Sequence, residues 1–543
     1  MPSIGEILER NARRVPNRMA LVFGEHRYTY RQLDESVNQA AHAILRFGVQ
    51  KGDRVAIMAF NSDHFIFAYY ALLKIGAIVV PINVRLAPPE VAYQLADSGA
   101  RLILHAPELT EVVQTAVQTA VQTAAVQTAP VQALCLSGHE HSNLIHLMQH
   151  EPAVSPPCAA MVCEDDDAQI LYTSGTTGRP KGVLLDHHRI IWTGLTVSTG
   201  VSLREGERLL HVAPLYHSAE LDLFLMAGTY LAATHVVLRD FHPTAVLRTM
   251  AEERITAFFG VPTMYQFMLR DPELPRVDLS QWRIGMFGAA PMAPSTVIAL
   301  ANALPQVTLY NLAGLTEMGP GGVFLGGQEL LEHPNAAGWQ TVNTEARVVR
   351  EDFQDVEPGE VGELLLRGET LMKGYWNNPE ATAAAIRDGW LFTGDLATVD
   401  EDGRVIMIDR KKDMIITGGM NVYSVEVEYA LVTHPKVADC AVIGLPHPDY
   451  GETVTAIITP AATGNVSATS DGGARGAADA DANIGVRTTA DAREITLEEL
   501  REHCRPLIAD YKLPRRLIIA PIPRNASGKV LKYQLRERYK EEI

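Results

Sequence analysis

The 543-residue sequence has few cysteines, no uninterrupted apolar run long enough to span a membrane, and no surplus of positive charge. Each shortage excludes something. Cys135, Cys158, Cys163, Cys440 and Cys504 are scattered without metal-ligand or redox spacing, and a sparse, odd set points to reduced thiols in a cytoplasmic compartment. The most apolar stretch, residues 65–82, carries Lys74 and Gly76. It reads as a buried helix running into a buried strand at 77–80, with no integral membrane segment. The opening MPSIGEILERNARRVP lacks the apolar core of a signal peptide. A formal net charge of -17 argues against nucleic acid or an anionic membrane as partner. An anionic ligand would therefore need a local positive island. Also missing is a Walker loop, G-x-x-x-x-G-K-[ST]. Its nearest counterpart is LYTSGTTGRPKG, residues 171–182, whose glycines are too close together and whose lysine is followed by Gly182.

What is present describes a soluble chain too long for a single core, so two or more domains are expected. Residues 29–60 predict an amphipathic helix opened by Thr29, with apolar positions at 33, 37, 41, 44 and 45. It stops at Gly48 and is followed by a strand at 54–60. The alternation continues with a helix near 64–74, a strand at 77–80, a helix at 88–97 and a strand at 101–105. Further strands are expected at 209–213, 235–238, 256–259, 283–287 and 307–310. Strands alternating with helices predict an α/β fold with largely parallel sheets. Two segments break the rhythm. Residues 112–132 repeat a V-Q-T-A unit, which reads as a low-complexity insertion. Residues 460–494 are rich in Ala, Gly, Asp and Thr, and read as a disordered surface loop. A boundary is expected at the charged run 409–413, giving a large domain over 1–409 and a small one over 410–543.

Five stretches carry chemistry. In LYTSGTTGRPKG, an apolar strand ends in a loop whose backbone N–H groups and hydroxyls can meet phosphate oxygens, with Lys181 adding a point charge. Asn311, Thr316 and Glu317 follow the apolar strand ending at Tyr310, and a carboxylate with a hydroxyl suits a hard cation. Gly288, Ala289 and Ala290 form a small-residue turn after a strand. Asp395 closes WLFTGD, and a carboxylate offers two acceptors to a vicinal diol. Lys529 sits in PRNASGKV near the C-terminus.

In this order the stretches resemble the adenylate-forming superfamily: acyl-CoA synthetases, peptide-synthetase adenylation domains and beetle luciferases. The resemblance runs from about residue 15 to 533 apart from the two unusual segments. It implies a large N-terminal domain of stacked αβ subdomains and a small, mobile C-terminal α+β domain. It further implies that ATP is held by Thr173, Ser174, Gly175, Thr176, Thr177, Gly178 and Lys181 at the β- and γ-phosphates. Gly288, Ala289 and Ala290 would lie between the base and the acyl group, and Asn311 and Thr316 would also belong to the ATP site. Asp395 and Arg410 would hold the ribose, and Thr173 and Glu317 the Mg2+. Lys529 would stabilise charge growing on the α-phosphate during attack. A hinge at Lys412 would exchange Lys529 for the loop of Gly418 and Gly419, past which the pantetheine arm of coenzyme A reaches. One departure is Ala313, where relatives place an aromatic residue over adenine.

His217, in APLYHS, stands near the position where amino-acid-activating relatives carry an aspartate, which disfavours an α-amino acid. His217, Phe258, Gly260 and Gly288 are expected to border the acyl group, in surroundings suited to a medium- or long-chain fatty acid. An aryl acid stays open, as does loading of a carrier-protein pantetheine in trans. A monomer or homodimer is expected. The reading is an AMP- and pyrophosphate-forming carboxylic acid:CoA ligase using ATP, Mg2+ and coenzyme A.

Overall fold

The computed structural model describes residues 2–123, 131–138, 142–173, 179–461, 495–524 and 530–540. The chain divides into two compact units, the first running from Met1 to Met407 and the second beginning at Ile408.

The first unit is built on three sheets. In a seven-stranded sheet, Asp167–Thr173, Ile78–Pro81, Arg54–Met58, Leu102–His105 and Gln132–Cys135 run parallel, and Lys181–Asp186 and Gly374–Tyr375 are added antiparallel at one edge. In a nine-stranded sheet the central strands are parallel, among them Arg208–His211, Ala257–Gly260, Ile284–Gly288 and Thr308–Gly314. A third, antiparallel sheet contains Thr344–Val349, Gly362–Gly368 and Trp390–Val399.

The helix Tyr30–Leu45 begins as predicted, with Thr29 closing a reciprocal capping box with Gln32. The apolar stretch at 65–82 is buried. Every residue of the helix Asp63–Lys74 except His64 is buried, and the strand Ile78–Pro81 follows. Lys74 is 2% exposed; its ammonium donates to Asp34 at 2.7 Å and to Asn38 at 2.6 Å, so the charge is paired where it is buried. Gly5 permits this packing, because a Cβ there would stand 2.8 Å from the Lys74 backbone.

The V-Q-T-A repeat requires a correction. Residues 110–123 form an α-helix, Thr110–Thr123, whose Val113, Ala116 and Ala120 are buried. A four-residue repeat is close to one 3.6-residue turn, so it writes a Val/Ala stripe along one face. The segment is thus part of the crossover between the parallel strands Leu102–His105 and Gln132–Cys135 rather than an insertion beside the fold. Residues 124–130 lie outside the described residues, as do 462–494, nearly all of the second unusual segment.

The second unit is a mixed sheet built on the long hairpin Val437–His447 and Gly451–Pro460, with Arg516–Ile519 parallel to its second strand. The helices Ser424–Val432 and Leu497–Cys504 contribute to one apolar cluster, and Lys532–Tyr539 contributes Leu535 and Tyr539 to another. The charges at 409–413 help to fasten this unit. Asp409 accepts from the Ser424 amide and hydroxyl at 2.6 Å each, and Asp413 pairs with Arg536 at 2.8 Å.

Candidate active site

The strands Asp167–Thr173 and Lys181–Asp186 form a hairpin in which Thr173 stands opposite Lys181. Both ends of the glycine-rich loop are therefore pinned to one sheet edge, while Ser174, Gly175, Thr176, Thr177 and Gly178 lie outside the described residues. From the nine-stranded sheet, the strand Thr308–Gly314 leads into a short 3-10 turn, Thr316–Met318. Here Glu317 meets the hairpin: its Oε1 accepts from Thr173 Oγ1 at 3.3 Å and from the Tyr375 hydroxyl at 3.0 Å. The Lys181 ammonium lies 4.9 Å from the centre of the Tyr375 ring. Thr173, Lys181 and Glu317, three residues expected to handle phosphate and metal, thus converge around a tyrosine. Burial and the adjacent Glu317 carboxylate push the Tyr375 hydroxyl well above its ordinary pKa, so it remains a donor.

These groups suit a magnesium ion. Glu317 Oε2 accepts no hydrogen bond among the described residues, leaving an oxygen free beside the Thr173 hydroxyl. Mg2+ takes one or two protein oxygens and completes its octahedron with water and phosphate.

Small residues shape the neighbouring backbone. A Cβ on Gly288 would stand 2.4 Å from the Leu312 carbonyl, and one on Gly314 2.3 Å from that of Gly321. Ala289 adopts a positive φ of 65°. Asn311 donates to the Ala336 carbonyl at 3.1 Å, and Thr316 Oγ1 lies 3.0 Å from Ser218 Oγ. Asp395 lies on the strand Trp390–Val399, just after Gly394, whose φ is 70°.

Ser218 follows His217 at the entrance to a π-helical turn, Ala219–Leu225. Among the described residues the buried His217 Nε2 has no hydrogen-bond partner, and burial lowers the imidazole pKa to about 4, so it is neutral. Asp222 is fully buried, with both oxygens accepting from Gln169 Nε2 at 2.8 and 2.9 Å.

Phe258, expected to border the acyl group, points elsewhere. Its ring packs against Tyr265 and Trp282 in a closed core, and Gly260 abuts that same ring. Side chains alternate along a strand, so the other face carries Phe259, which lies with Phe224, Met264, Tyr310 and Leu312. That apolar cluster, unlike the one holding Phe258, includes Leu223 and Phe224 of the π-helical turn.

In the second unit, Arg410 ends the strand Val405–Arg410 and Lys412 is exposed in the turn that follows. Gly418 and Gly419 form the two-residue turn of a hairpin, Thr417 pairing with Met420. Their φ values of 58° and 77° are those of a tight turn that glycine adopts without strain. Lys529 lies outside the described residues.

Sequence reasoning missed Tyr375. It lies within Lys373-Gly374-Tyr375-Trp376, but nothing in local spacing ties that stretch to Glu317.

A family model described as AMP-binding enzyme matches residues 8–376, and a second, AMP-binding enzyme C-terminal domain, matches 426–529. The chain is 36% identical over 533 residues to the feruloyl-CoA synthase of Amycolatopsis sp, covering 98% of each protein. It is 34% identical over 542 residues to the long-chain-fatty-acid–CoA ligase FadD13 of Mycobacterium tuberculosis, covering 99% of each. Among solved structures, the Mycobacterium tuberculosis fatty acyl CoA synthetase aligns with a TM-score of 0.74 at 32% identity, covering 100% of this chain and 99% of that one. The anthranilate CoA ligase AuaEII in complex with anthranoyl-AMP aligns with a TM-score of 0.85 at 26% identity, covering 99% and 97%.

Proposed function

The chain belongs to the AMP-binding enzyme family, and from that premise we propose that it converts an apolar carboxylic acid to its coenzyme A thioester through an acyl-AMP intermediate. The enzyme class is that of the AMP-forming acid–thiol ligases, and its relatives act on both fatty and aryl acids. For this chain the first candidate is a medium- or long-chain fatty acid. Phe224, Phe259, Met264 and Leu312 share one apolar cluster, and Phe224 lies in the turn that follows His217, whose imidazole is neutral.

The observation that carries the reading is the meeting of Thr173, Lys181 and Glu317 around Tyr375. In the proposed reaction the acid's carboxylate attacks the α-phosphorus of ATP in line. The α–β bridging bond breaks and pyrophosphate departs, held by Lys181 and the 174–178 loop. Tyr375 fixes the Glu317 carboxylate so that its free oxygen keeps one direction, at the cost of little motion. Mg2+, held by Thr173 and Glu317, supplies positive charge to the phosphates when bound. Asp395 accepts from the ribose hydroxyls, with Arg410 beside the same sugar. Lys529 stabilises charge on the α-phosphoryl oxygens. In the second half-reaction the thiol of coenzyme A attacks the mixed anhydride and AMP leaves. The Gly418–Gly419 turn gives the pantetheine arm passage, after a swing of the domain over 410–543 about Lys412.

Incubation with ATP, coenzyme A and a panel of fatty and aryl acids tests the proposal. Pyrophosphate and acyl-CoA should form together, most efficiently with fatty acids. Preference for a hydroxycinnamic or benzoic acid would overturn the substrate, and absence of pyrophosphate with every acid would overturn the reaction.

A further inference from the structure

Beneath His217 and Ser218, the two ends of the π-helical turn are tied together by a chain of buried polar atoms that the reaction above does not use. Near its start, Glu220 Oε1 lies 2.6 Å from His211 Nδ1. His211 Nε2 lies 2.9 Å from His235 Nδ1, and His235 Nε2 lies 3.3 Å from Thr229 Oγ1. Thr229 in turn donates to the carbonyl of Leu225, the last residue of the turn, at 2.9 Å. The Tyr70 hydroxyl also meets Thr229 Oγ1. Glu220 and His211 are wholly buried, and Tyr70, Thr229 and His235 nearly so.

The proton order along this chain can be assigned from its far end. With the Thr229 hydroxyl proton on Leu225, Thr229 Oγ1 must accept from Tyr70 and from His235 Nε2–H. His235 Nδ1 then accepts from His211 Nε2–H. The last proton lies between His211 Nδ1 and Glu220 Oε1, and belongs either to an imidazolium beside a carboxylate or to a carboxylic acid beside an imidazole. One observation selects the neutral pair. Among the described residues Glu220 Oε2 has no hydrogen-bond partner, which would leave an ionised carboxylate half unpaired in the interior. Burial acts in the same sense, raising the Glu220 carboxyl well above its usual range and holding His211 well below its own.

The turn so fastened carries the groups closest to the proposed acid site. The His217 carbonyl accepts from the amides of Glu220 at 3.2 Å and Leu221 at 2.9 Å. Ser218 reaches Thr316, next to Glu317. Phe224 lies with its ring centre 5.0 Å from that of His211 and 6.4 Å from that of Phe259. π-Helical turns are rare and cluster at functional sites, and this one is held open by a side-chain strap from its first turn to its last carbonyl.

We propose that Glu220 is a positioning residue for the carboxylic acid substrate, acting as an un-ionised acid that donates to His211 and so sets the turn bearing His217, Ser218 and Phe224. The proposal rests on the reading that the acid binds beside His217. Because Glu220 serves as a donor and not as a charge, glutamine replaces it: the amide N–H2 donates to His211 Nδ1, and leucine cannot.

Kinetics of Glu220→Gln and Glu220→Leu, together with infrared difference spectroscopy, test it. Glu220→Gln should keep the acid's kcat/KM within about twofold, while Glu220→Leu should raise the acid KM about tenfold or more with the ATP KM nearly unchanged. Loss in Glu220→Gln as deep as in Glu220→Leu would overturn the un-ionised donor. Equal loss toward ATP and acid, or no loss at all in Glu220→Leu, would overturn the positioning role. If Glu220→Leu does not fold, the spectrum decides. Wild type minus Glu220→Gln at neutral pH should show the carbonyl band of a protonated carboxylic acid, and a carboxylate band instead would overturn the proposal. The spectral result holds whichever acid the enzyme activates, so failure of the substrate reading is distinguishable from failure of this one.

Discussion

The glycines of the two compact units answer different physical demands. In the first unit Gly288 and Gly314 have ordinary backbone angles and are required by crowding, since a Cβ would strike a neighbouring carbonyl at 2.4 and 2.3 Å. In the second, Gly418 and Gly419 need their positive φ, and the space around them is open: a Cβ on Gly419 would meet nothing within 4 Å. Backbone packed that tightly makes a platform whose side chains, Thr173 and Glu317 among them, stay where the strands put them. An exposed two-glycine turn offers a smooth face that a slender ligand can pass. The proposed division of labour follows: the groups of the first unit serve phosphate chemistry, and the turn of the second serves the thiol.

The substitution expected to cost most is Lys529→Ala. It should lower acyl-AMP formation by about 10²- to 10³-fold, read as pyrophosphate release, with thioester formation from supplied acyl-AMP largely intact. Equal loss of both would break the separation of steps. Glu317→Gln keeps shape and removes charge, and should lower pyrophosphate release by about 10²-fold with a raised magnesium requirement. An unchanged magnesium titration would remove Glu317 from the metal. Tyr375→Phe deletes one donor to that carboxylate and should cost about tenfold in adenylation, measured by ATP–pyrophosphate exchange. The mildest change is Ala313→Tyr, which should lower the ATP KM a few-fold, as one aromatic contact is worth about 1 kcal/mol. No change would mean that another side chain already covers the base.

Much of the platform could be read from the chain. Thr29, Gly48 and the apolar periodicity marked a helix that the structure bounds within a few residues, and the pairing of Thr173 with Glu317 was implied by motifs far apart in sequence. Other features resisted for identifiable reasons. Phe258 and Phe259 are adjacent in a parallel strand covered on both faces, so no polar alternation says which ring faces the site. The V-Q-T-A segment looked like low complexity because a repeat of four and a helical turn are nearly the same period. Tyr375 and the Glu220–His211–His235 chain join elements that only tertiary folding brings together.

The most direct test of the central claim is Gly419→Leu with the two half-reactions assayed separately. Pyrophosphate release with the acid and ATP should stay normal, and thioester formation from acyl-AMP and coenzyme A should drop by about 10²-fold. Undiminished thioester formation, or an equal loss of pyrophosphate release, would contradict that claim.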